Sequence, residues 1–80
     1  MNINTIKHIV ESYTLDQLHQ AEQDLLAEKP LAIAVDGTDE GEQMTHILAA
    51  IFCQTVMAEQ HISLQQAVRL YSQRVRDSIN

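Results

Sequence analysis

The residues that break regular structure in this 80-residue chain, Pro30, Gly37 and Gly41, all fall within one short window. Outside it, helical patterning runs almost without interruption. Ile3, Ile6, Ile9, Val10 and Tyr13 recur at three- and four-residue spacing, with Lys7, His8 and Glu11 opposite, which predicts a first helix. Thr14 followed by Gln17 is a capping-box pattern, in which the hydroxyl accepts the third amide and the glutamine reaches back. The second helix then buries Leu15, Leu18, Ala21, Leu25 and Leu26, and Pro30 sets its end by disfavouring helix at Lys29. Asp39 with Glu42, and Ser63 with Gln66, mark two further starts of the same kind. The third helix, beginning near Glu40, is apolar on all sides through its middle, the mark of a central buried element. The fourth carries Leu64, Ala67, Val68, Tyr71, Val75 and Ile79 as one stripe.

Inside the window, Leu31, Ile33 and Val35 alternate with Ala32 and Ala34. That period of two, between a proline and a glycine, predicts a short β-strand over residues 31–35. The expected fold class is therefore mainly α: four helices and one strand after the second, in a single domain spanning residues 1–80. No other segment offers the strand a partner, and each unpaired buried backbone group costs roughly 1–3 kcal/mol. A second copy of the strand, antiparallel across a two-fold axis, supplies the missing bonds and makes a homodimer the expectation. Leu31, Ile33 and Val35 are its candidate interface. Ala49, Ala50 and Cys53, small residues along one side of the third helix, are a second, since they let another helix approach closely. Size argues the same way. At 9.0 kDa, burial on folding contributes on the order of 120 kcal/mol and ordering the chain costs about as much, so a monomer is marginal.

Composition excludes several classes. A single cysteine, Cys53, cannot form an internal disulfide, which favours a reducing compartment. The longest apolar run, Ile47 to Cys53, is too short to span a bilayer, and no export signal opens the chain. A cytoplasmic location is the expectation, with no membrane association.

Asp36, Asp39, Glu40, Glu42 and His46 form the one cluster with metal-ligand chemistry. As a calcium loop it is incomplete, because Ile47 stands where the bidentate glutamate belongs, and as a zinc site it has one histidine. Helix-start chemistry is the simpler reading, and no cofactor is expected. Charge is uneven: residues 1–42 carry nine acids and two bases, residues 43–80 two acids and three bases, within a net charge of −6. Arg69, Arg74 and Arg76 all lie on the fourth helix. They could meet an anion, or bases if the third and fourth helices formed a helix-turn-helix. An acidic molecule repels phosphate backbones, so ion pairs with the acidic turn, within a subunit or across the dimer, are favoured and nucleic acid is not. Cys53, mid-helix in an apolar run, reads as a small buried hydrophobe, and no phosphate loop, serine elbow or paired-cysteine motif is present. The function these features support is a non-enzymatic, homodimeric interaction module.

The run Asp39-Glu40-Gly41-Glu42-Gln43-Met44-Thr45-His46-Ile47-Leu48-Ala49-Ala50, with Tyr71-Ser72-Gln73-Arg74-Val75-Arg76-Asp77-Ser78-Ile79 after it, resembles a family of short uncharacterised bacterial proteins with a DEGEQ-x-TH-x-LAA core. The resemblance covers most of the chain from Tyr13 onward. That family has no assigned activity. It implies a bacterial cytoplasmic protein standing on its own, and it singles out the acidic turn with His46 and the Arg74/Arg76 end as the first positions to mutate.

Overall fold

A computed structural model describes residues 1–79, the side chain of Ile79 excepted, so that position of the fourth stripe lies outside the described residues. The chain forms α1 (Ile3–Ser12), α2 (Leu15–Leu26), α3 (Glu40–Gln60) and α4 (Leu64–Ile79). α1, α2 and α4 each pack against α3. Two apolar clusters result. One gathers Ile6, Ala49, Cys53, Val56, Ala67 and Val68 between α1, α3 and α4. The other gathers Ile9, Leu18, Ala21, Val35, Ile47 and Ala50 between α1, α2, α3 and the segment ahead of α3.

The helix starts are built from side-chain caps. Asn2 Oδ1 accepts the amides of Asn4 and Thr5 at α1. At α2 the box closes both ways, with Gln17 N–H to Thr14 Oγ1 at 3.2 Å and Thr14 N–H to Gln17 Oε1 at 2.9 Å. Ser63 and Gln66 close the same box at α4, at 3.1 and 3.0 Å. At α3, Asp39 accepts the Glu42 amide at 2.8 Å, but the Glu42 carboxylate reaches past Asp39 to the Thr38 amide.

α2 ends at Leu26, short of Lys29, the residue that Pro30 restricts. Its last turn closes in a Schellman arrangement: Glu28 N–H donates to Leu25 O at 3.1 Å and Lys29 N–H to Asp24 O at 2.8 Å. This requires Glu28 to adopt φ 58°, a left-handed conformation that costs a side-chain-bearing residue roughly 1–2 kcal/mol.

The expected strand is absent: among the described residues there is no β-structure, and residues 31–35 are an irregular connector that bends at Ala32 and Ile33. The alternation survives, with Val35 buried, Leu31 and Ile33 half-buried, and Ala32 and Ala34 exposed. What differs is how the backbone is satisfied. Tyr13 Oη lies 3.3 Å from the Ala34 amide and 3.4 Å from its carbonyl. Gln43 Nε2 donates to Val35 O at 3.0 Å, and His46 Nδ1 meets Asp36 O at 2.7 Å. Side chains from α3, with a tyrosine from the α1–α2 junction, thus bond the backbone of Ala34, Val35 and Asp36 where the sequence predicts a partner strand.

Close passage of the connector over α3 also depends on Gly37. A Cβ there would sit 2.8 Å from Gln43 N and 2.7 Å from its Cγ. Glu28→Gly is expected to stabilise the fold by about 1 kcal/mol, raising Tm by about 4–8 °C in a thermal melt. Gly37→Ala is expected to lower it.

Candidate interaction surface

The acidic turn and His46 come together in space, but as a structural clasp. His46 is 1% exposed. Its Nε2 accepts the backbone N–H of Asn2 at 3.0 Å while Nδ1 faces the Asp36 carbonyl at 2.7 Å. A backbone amide can only donate and a carbonyl can only accept, so the ring is the neutral tautomer with its proton on Nδ1. Both ring nitrogens are thereby engaged, and a metal would have to break one of these bonds. Asp39 and Glu42 are occupied at the start of α3, while the side chains of Asp36 and Glu40 are exposed. Among the described residues no three His, Cys, Asp or Glu side chains are grouped to hold a metal ion.

The small residues of α3 are also committed inside the chain. Ala49, Ala50 and Cys53 have no exposed surface and belong to the two clusters that α1, α2 and α4 complete. Close helix approach at these positions is real, but the neighbours belong to the same chain. Burial pushes the Cys53 thiol up to about 11, from 9.0, and the neighbouring Tyr71 phenol is raised by burial and then by the nearby Cys53 charge. Such a thiol is no nucleophile at neutral pH.

Arg69 and Arg74 of α4 form no ion pair with the acidic turn within the chain. Arg74 lies over the Phe52 ring, Cζ to centroid 5.2 Å, and Phe52 stacks at a tilt on Tyr71 with centroids 5.7 Å apart. Arg69 is exposed, and neither it nor Arg74 makes an ion pair among the described residues; Arg76 has an interaction of its own. The physical reason is position, because α4 packs chiefly on α3, whereas the acids concentrate on α1, α2 and the turn. Gln66 is spent on the start of α4, where its Oε1 accepts the Ser63 amide.

Sequence reasoning missed the surface that the fold leaves open. On the flank of α3 shared with α4, Leu48, Ile51, Phe52, Thr55, Val56 and Leu70 line a groove of about 580 Å³, with Glu59, Gln60 and Arg74 at its margins. Leu48 is 43% exposed and Leu70 37%. The available signal was the all-round apolarity of α3: three packed neighbours still leave one apolar face uncovered. An apolar centre with an arginine and an aromatic at its edge is the usual make-up of a protein-binding surface. No helix among the described residues is long and apolar enough to cross a membrane.

A sequence profile for a family of unknown function, DUF6952, matches residues 1–80, so the chain belongs to that family. No curated protein and no solved structure matches it significantly.

His46→Leu strands the Asn2 amide and the Asp36 carbonyl, and is expected to cost about 2–4 kcal/mol in urea unfolding, with faster exchange of the Asn2 amide. Cys53 is expected to resist a thiol reagent at pH 8 in the folded protein and to react once denatured. Because its folded pKa lies above the unfolded value, its contribution to stability is complete below about pH 9 and is lost as pH rises toward about 11.

Proposed function

We propose that this protein is a non-enzymatic interaction module whose working surface is the α3–α4 groove. The observation that carries the reading is the exposure of Leu48 on the central helix and of Leu70 on α4, both lining one groove between the two helices. Exposed leucines are ordinary singly, but two set in one groove beside an aromatic and an arginine have the make-up of a protein-binding surface. The groups suited to chemistry are otherwise employed. His46 joins three segments of backbone, Asp39 and Glu42 start a helix, and Cys53 is a buried thiol. A bacterial, cytoplasmic setting accompanies this reading, supported by the sequence resemblance and by the single reduced cysteine.

The test is site-specific photocrosslinking in producing cells, with a photoreactive amino acid placed at Leu48 or Leu70 and, as control, at exposed Gln20 of α2. A discrete higher-mass adduct is expected from the two groove positions and none from the control. Absence of any adduct from both groove positions would defeat the proposal.

A further inference from the structure

We infer that the occupant of the α3–α4 groove is a second copy of this chain, laid antiparallel across a two-fold axis near Thr55; the inference rests on the groove being a docking surface at all. Three observations single out this partner.

The first is the placement of charge along the groove. Its α3 wall runs from Leu48 to Glu59 and Gln60. Glu59 stands near one end, while Arg74 is held over Phe52, seven residues or about 10 Å back along the helix. A two-fold axis through the middle of the groove exchanges its ends. It therefore brings Glu59 of each copy toward Arg74 of the other, and the surface is complementary to itself, as an isologous interface must be.

The second is the uneven charge of the whole molecule. Two copies at net −6 repel one another, and that repulsion is concentrated where residues 1–42 place nine acids against two bases. Residues 43–80, which supply every residue of the groove, carry two acids and three bases. This is the face on which like molecules can meet.

The third is the spacing along the α3 wall of the groove. Leu48, Ile51 and Thr55 follow one another at intervals of three and four, on the side of α3 away from Cys53. That is the spacing by which one helix packs along another, and Leu48 on it is exposed. A standard interface takes roughly 800 Å² from each partner, which is a modest part of the 5262 Å² surface of this chain.

Sedimentation equilibrium on the purified protein tests the assignment, with circular dichroism confirming that each variant is folded. The wild-type chain is expected at twice its 9.0 kDa mass, and Leu48→Glu at the monomer mass. Glu59→Arg and Arg74→Glu, each alone, set like charges opposite one another in both cross-pairs and should raise the dimer Kd about tenfold or more. The double variant E59R/R74E restores opposite charges and recovers the dimer, as does mixing the two single variants. A wild-type monomer up to about 100 µM would overturn the second copy as occupant. A crosslinked adduct at some mass other than twice the chain's would then leave the docking surface itself standing. A dimer indifferent to Leu48→Glu and to both charge reversals would overturn the placement.

Discussion

The structure depends on holding the second half of an irregular connector, which has no neighbouring strand, against the helices. Residues 31–36 bring Val35 into the core, and backbone groups drawn in beside it need partners. Tyr13 bonds the amide and carbonyl of Ala34, Gln43 the carbonyl of Val35 and His46 that of Asp36. Each bond adds little to net stability, about 1 kcal/mol, but leaving one unmade would cost more. The cluster containing Ile9, Leu18 and Ile47 includes Val35 of this connector, with Leu31 and Ile33 packed against it.

That arrangement separates the parts of the fold that are legible in the sequence from those that are not. Helix starts are legible, because a cap is a local bond between residues two or three apart, and Thr14–Gln17 and Ser63–Gln66 declare it directly. So is the centrality of α3, since a helix apolar on every side must be packed from several directions. The end of α2 is not, and Pro30 is a misleading marker for it. A Schellman turn is usually signalled by glycine, and here Glu28 occupies the left-handed position. The strand over 31–35 fails for a different reason. Periodicity reports which side chains face inward, and in that it is right; it says nothing of where the backbone bonds go. Tyr13 lies 21 residues from Ala34, and no local pattern announces that pairing.

The candidate sites divide along the same line. His46 stands out in the sequence as the histidine of an acidic cluster, and the cluster exists, but its chemistry is spent on backbone atoms of Asn2 and Asp36. The stripe Ala49, Ala50 and Cys53 does foretell close packing, though from helices of its own chain. The open groove emerges only when the covering of α3 by three neighbours is known, because subtraction leaves its remaining face. A helix apolar all round can thus serve both as the centre of its own chain and as a contact with another.

One polar detail sets the alignment of α1 on α3. The Asn2 amide is held by His46, and the carbonyls of Val10 and Tyr13 receive Gln54 Nε2 at 3.1 and 2.7 Å. Asn2 and Val10 are eight residues apart, as are His46 and Gln54, so the two helices run in the same direction with equal spans between their fastenings. Methyl groups would tolerate a shift of one helical turn, about 5.4 Å, by meeting other methyl groups. The two fastenings would not, since both would come undone together. The greasy contacts hold α1 down, while a histidine and a glutamine decide where along α3 it stops.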